Sequence, residues 1–170
     1  TSGRQIQMNI REAFALQSKA CFELGSPFMG QLMALLGERL APGHPVADRI
    51  LTWEGDVSPY GQSVPLRTAG ALHALVLDGD PALRAVYPPN FATDGALWEA
   101  VLDAFSRHST RILDFMQSPP QTNEVRRSAA ISPAMHAVSA RYARPMTLVE
   151  VGCSGGLNLF ADQFCVHAAG

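Results

Sequence analysis

Apolar positions recur at helical spacing through the first two thirds of the chain, then give way near its C-terminal end to one short continuous run. Ile6, Ile10, Phe14, Leu16, Cys21 and Leu24 mark one helix face, which Gly25 ends as a C′ residue does. Ser26-Pro27 restarts the helix as N-cap and first helical position, with Phe28, Leu32, Leu35, Leu36 and Leu40 inward. After the breaker "APGHP", residues 46–53 support a short third helix, and "EGDVSPYGQS" reads as a loop. "VPLRTAGALHALVLDG" predicts an apolar helix closed by Gly79. Asp80-Pro81 caps a short one that stops at Pro88-Pro89. Asp94 opens the longest periodic segment, 96–116, with Leu97, Val101, Phe105, Ile112 and Phe115 inward. "SPPQTNEVRRSAAISPAMHAVSARYA" predicts a proline-bounded polar turn and two more short helices, the second started by Ser132-Pro133.

The period then changes. "MTLVEV", residues 146–151, is a short apolar run with β-branched members behind Pro145, the best strand signal in the chain. "GGLNLFADQF" would continue as a helix and "CVHAAG" could begin a second strand. The predicted fold is mostly α, a helical bundle over 1–143 with no sheet before Pro145. The first β-α unit of a truncated Rossmann-like domain follows over 144–170.

At 170 residues, 47% hydrophobic and 16% charged, the composition is that of a globular chain. A formal charge of −2 recruits neither nucleic acid nor an anionic membrane wholesale. Lys19 is the one lysine among 13 basic residues, so no P-loop lysine follows the glycine-rich turn. Cys21, Cys153 and Cys165 are odd in number and have no C-x-x-C spacing, which points away from a disulfide framework and towards a reducing cytoplasm. The N-terminal stretch does not read as a signal peptide, and no apolar run approaches the ~18 residues of a membrane span.

The candidate chemistry sits in "VEVGCSGGLNLF". A strand, a glycine turn and a helix together make a cradle for polar or anionic groups, because the amides that open the helix lack partners. The dinucleotide fingerprint would need glycines at Ser154 and Leu157, and fails at both. Gly152-Cys153-Ser154-Gly155-Gly156 matches the G-x-S-x-G elbow of serine hydrolases. However, helices precede it, and only Asp162 and His167 follow as possible triad partners. The third reading looks like the first motif of S-adenosylmethionine-dependent methyltransferases, in which an acid is followed by alternate glycines. Glu150 takes the acidic position, Gly152 and Gly156 the first and third glycines, and Ser154 the small second one.

A wider resemblance is carried by "GSPF" (25–28), "WEGD" (53–56), "VPLRTAGALHALVLDG" (64–79), "YPP" (87–89), "PPQTNEVRRSA" (119–129) and "VEVGCSGGLNL". Together they resemble the bacterial family catalogued as domain of unknown function 2332, over nearly the whole chain. That resemblance implies a helical half followed by a methyltransferase-like half, of which this chain would hold only the opening. It also implies S-adenosylmethionine as cofactor, held by Glu150, Gly152, Cys153, Ser154, Gly156 and Asn158. The ribose-binding acid would fall at or beyond Gly170, about 20 residues past the motif. Lone strand edges would then seek a partner, such as a second copy in a homodimer.

In the polar cluster, Gln121, Asn123, Glu124 and Arg126 could reach cofactor or substrate as a lid. The simpler reading is structural: Pro119-Pro120 stops one helix while Thr122 or Asn123 caps the next. Ser118-Pro119-Pro120 also approaches the motif of amino-group methyltransferases acting on bases, but Gln121 replaces its aromatic residue. Glu54 and Asp56 read as solvated loop acids and His73 as a core histidine on an apolar helix. Cys153, Cys165 and His167 lack a fourth ligand and a familiar zinc spacing, so no metal is expected. Cys153 at a helix N-terminus could carry a lowered thiol pKa, but reads rather as a buried small residue. The non-enzymatic rival is a helical interaction module with a structural α/β remnant.

Overall fold

The computed structural model describes residues 8–121 and 124–164, in two compact units, Thr1–Pro120 and Gln121–Gly170. In the first unit, α1 (Ile10–Glu23) starts on a capping box: Asn9 Oδ1 accepts the Glu12 N–H at 3.0 Å and Glu12 Oε2 accepts the Asn9 N–H at 3.0 Å. Gly25, in the left-handed region at φ +78°, turns the chain into α2 (Pro27–Arg39), which packs antiparallel-neighbour fashion on α1. Ser26 occupies the N-cap position without a side-chain hydrogen bond. The remaining helices are α3 (Pro45–Leu51), α4 (Val64–Leu77), α5 (Pro81–Val86) and α6 (Asp94–Gln117). α6 is the backbone of the unit, contacting α2, α3, α4 and α5. Phe14, Leu32, Leu36, Ile50, Leu72 and Phe105 are fully buried in the common core.

The helical reading of this unit holds, with local corrections. Leu16 and Leu24 of the α1 series and Phe115 of α6 are exposed. His73 is exposed too, stacked on the Tyr87 ring at 6.1 Å between centroids, and is not a core histidine.

The loop between α3 and α4 is tied by side chains. Trp53 Nε1 donates to Gln62 Oε1 at 2.8 Å, Gln62 Nε2 donates to Glu54 O at 3.1 Å, and Asp56 Oδ1 accepts the Ser58 N–H at 2.9 Å. Arg67, buried on α4, donates through Nε to Gln62 O at 2.6 Å and through Nη1 to Met116 O and Gln117 O, both at 2.9 Å. Those two carbonyls end α6, where a cation also suits the helix dipole. The Arg49 and Arg67 guanidinium carbons lie 4.4 and 5.7 Å from the Trp53 ring centroid.

Asp80 caps α5 by accepting the Leu83 N–H at 2.9 Å, and its other oxygen meets Arg107 Nη1 at 2.8 Å and His108 Nε2 at 3.0 Å, where α6 departs from helical dihedrals at His108. Burial alone would raise the Asp80 pKa; hydrogen bonds from Arg107, Leu83 and His108 and the Arg107 charge outweigh it and bring it from 3.8 to about 2. A depressed folded-state pKa adds stability that is complete above about pH 4 and lost as pH falls towards 2, about 2 kcal/mol in all. Asp80→Asn should therefore be less stable than the parent at pH 7, with the gap reduced to about half by pH 3. Urea unfolding at both values checks it, and a pH-independent gap would refute it.

The second unit begins with a 3-10 turn, Val125–Arg127, that runs into α7 (Ser128–Tyr142). α7 is continuous through Pro133, where two helices were expected. Ser132 does not cap a new start; its hydroxyl donates to Ala161 O at 3.2 Å. A 3-10 helix, Leu157–Gln163, follows the glycine turn.

The expected β-α unit is overturned: the described residues contain no strand, and 146–150 run without regular structure. A strand exists only through ladder bonds to a neighbour, and none of the described residues supplies one. Val149 and Val151 accordingly stand 78% and 96% exposed. Neither does the segment after the turn become the long helix of a Rossmann-like unit, since its seven residues are 3-10 and Phe160 breaks even that. "CVHAAG", with Cys165 and His167, lies outside the described residues. No helix among those described is long and apolar enough to cross a membrane.

Candidate functional site

The turn after 146–151 alternates left-handed residues: Gly152 at φ +70°, Ser154 at +51° and Gly156 at +70°. Glycine takes this region freely while an L-residue does so at a cost, so the two glycines allow the tight reversal and Ser154 carries mild strain. The Gly156 N–H closes the turn on Cys153 O at 2.8 Å. The reversal brings Asn158 back under Glu150, where Asn158 Nδ2 donates to Glu150 Oε1 at 3.3 Å. Asn158 is 1% exposed.

Two oxygens here, Glu150 Oε2 and Asn158 Oδ1, are buried without a hydrogen-bonding partner. Buried polar atoms are normally satisfied, so two orphan acceptors side by side ask for a ligand that brings donors. On the far side of the turn the Gly155 N–H donates to Gln121 Oε1 at 3.0 Å, which shows this amide reaching for an acceptor. The site thus presents a carboxylate and an amide oxygen at one end and a backbone donor at the other.

Of the sequence-derived residues, Gln121, Glu150, Gly152, Ser154, Gly156 and Asn158 come together around this turn. Cys153 is half-buried, its thiol directed at Ser154 O at 3.8 Å. Glu124 is spent locally, accepting the Arg126 N–H at 3.2 Å to cap the 3-10 turn, and Arg126 is exposed. Asn123 lies outside the described residues. The serine elbow loses its setting, because among the described residues no strand precedes Ser154 and only a short 3-10 helix follows it. No group of three metal-ligating side chains occurs among them either.

Two things escaped the sequence reading. Ser132, Met135, His136 and Ser139 line one wall of a cavity of about 520 Å³, with Met146, Ala161, Asp162 and Phe164 opposite. Their i, i+3, i+4, i+7 spacing is one helix face, legible only if Pro133 is allowed inside the helix. In the first unit, "GSPF" and the two prolines of "YPP" line a common groove of about 780 Å³, with Phe22, Gln31 and Phe91 beside them. Neither motif stood out as part of a shared surface.

Residues 11–170 match the family described as an uncharacterized protein conserved in bacteria, domain of unknown function 2332. The chain belongs to that family. Comparison with curated proteins and with solved structures found no match. The "WEGD" and "VPLR" segments of this chain have a structural account, since Trp53, Gln62 and Arg67 form the loop-and-helix clamp. "VEVGCSGGLNL" has the orphan acceptors, and nothing in its packing explains them.

Proposed function

We propose that the Glu150–Asn158 turn holds the amino-acid end of S-adenosylmethionine and that the protein serves a methyl-transfer reaction. The observation that carries this reading is the pair of buried, partnerless oxygens, Glu150 Oε2 and Asn158 Oδ1. An α-ammonium group has three donors and a positive charge, which suits a carboxylate flanked by an amide oxygen. The Gly155 N–H would receive the ligand carboxylate in place of Gln121. When bound, the cofactor supplies an electrophilic methyl group on sulfur. The chain's own part is to bind and orient it.

Isothermal titration of S-adenosylmethionine into the protein tests the reading, with Ser154→Ala as the first variant. A cradle needs a small residue at 154, and alanine adds no bulk. Affinity within about tenfold of the parent, or ~1.4 kcal/mol, is therefore expected. A nucleophile would behave otherwise: a serine-reactive phosphonate labelling Ser154, with hydrolysis lost in Ser154→Ala, would replace the cofactor reading by an acyl-transfer one.

The exposure of Val149 and Val151 favours a second reading, an interaction module that buries this segment against a second copy. Sedimentation decides it. A dimer that Val149→Lys converts to monomer, in a protein that binds no S-adenosylmethionine, would put that reading first.

A further inference from the structure

The cavity within the second unit is built from two elements that one hydrogen bond holds in register. Ser132 Oγ donates to Ala161 O at 3.2 Å, which fixes α7 against the 3-10 helix Leu157–Gln163. Both groups are buried. Beside this contact the α7 face carrying Met135, His136 and Ser139 confronts Met146, Asp162 and Phe164 across about 520 Å³. That volume lies in the range of small-molecule sites, roughly 300–1,000 Å³, and the mix of apolar walls with few polar groups is typical of them.

The wall chemistry narrows the occupant. Two thioethers and a phenyl ring, Met135, Met146 and Phe164, favour a flat aromatic body, because sulfur packs well at ring edges and rings stack or meet edge to face. The polar side offers acceptors: the Asp162 side chain has two oxygens, and the His136 imidazole has a ring nitrogen that can accept. An occupant must then bring a donor. A ligand carboxylate would meet Asp162 as a like charge.

We propose that this cavity is a binding site for a small uncharged aromatic compound carrying a hydroxyl group, held with its O–H on His136 and its ring between Met135, Met146 and Phe164. The inference stands apart from the cofactor reading, since it uses neither Glu150 nor the glycine turn.

The test titrates 4-fluorophenol into the protein, following the probe by fluorine NMR and the histidine ring protons by proton NMR. Saturable broadening of the fluorine signal, with a shift of the His136 resonances assigned through His136→Gln, is the expected result. His136→Leu should weaken binding about tenfold or more. Ser139→Trp, which fills the cavity from an exposed position on α7, should abolish it while leaving the circular dichroism of the helices intact. The proposal is overturned by a signal that never saturates, by binding that Ser139→Trp and His136→Leu both leave unchanged, or by 4-fluorobenzoate binding as well as the phenol. If Ser139→Trp unfolds the protein, His136→Leu alone carries the decision. S-adenosylmethionine affinity should be the same in both variants and the parent, so failure of this site and failure of the cofactor site are read separately.

Discussion

Replacing Arg67 with alanine is expected to cost the helical unit about 3 kcal/mol of stability. The guanidinium is buried, and its three hydrogen bonds go to the carbonyls of Gln62, Met116 and Gln117. Truncation leaves those acceptors without their donor, opens space next to Trp53 and removes a cation from the negative end of α6. Urea unfolding followed by far-ultraviolet circular dichroism measures the loss. Arg67→Lys should recover less than half of it, because one ammonium cannot span the geometry of a planar fork. A cost below about 1 kcal/mol would show that water takes over the carbonyls, and the clamp would then be an ornament of the fold.

The second large effect concerns ligand affinity. Glu150→Gln keeps shape and one acceptor but removes the charge, and should weaken S-adenosylmethionine binding about a hundredfold, ~2.7 kcal/mol. Gly152→Val should weaken it by a similar factor for a different reason. A Cβ at Gly152 meets nothing within 4 Å, so the damage is not a clash. It comes from φ +70°, which a β-branched residue resists, and from bulk placed where the ligand would approach the backbone. Calorimetry on both variants, with folding checked by circular dichroism, decides the matter. Parent-like binding by both would remove the cradle.

Much of the helical unit was legible because its punctuation is local. Gly25 at a left-handed C′ position, Pro27 opening α2 and Asp80 capping α5 each act within a turn, so residue type alone reveals them. Inward and outward were less legible where neighbours decide. Leu16 follows Phe14 by two positions, and both cannot share the buried stripe of one helix. His73 lies on an apolar helix, yet it stands exposed and stacks on Tyr87, a buried ring that the end of α5 supplies. Pro133 misled in the opposite sense, since α7 tolerates it and the expected break hid the Ser132–Ser139 face. The strand failed because "MTLVEV" states a preference, while a strand is a property of two segments. Glu150 and Asn158 were proposed from motif resemblance, and the structure brings them into contact. The orphaned oxygens belong to the three-dimensional arrangement and have no linear signature.

The four residues buried among those described in the second unit are Ser128, Ser132, Asn158 and Ala161, three polar and one small. Such a set hides little hydrocarbon, so cohesion there rests on hydrogen bonds such as Ser132 to Ala161 and Asn158 to Glu150. Heat capacity follows apolar area, so opening this unit changes it only slightly. Its amides should then exchange with deuterium through local openings well below the free energy that guards Phe14 or Phe105 in the helical core. Any ligand that fills its vacant valences would be read first as slowed exchange in this part of the chain, before any change in the melting of the rest.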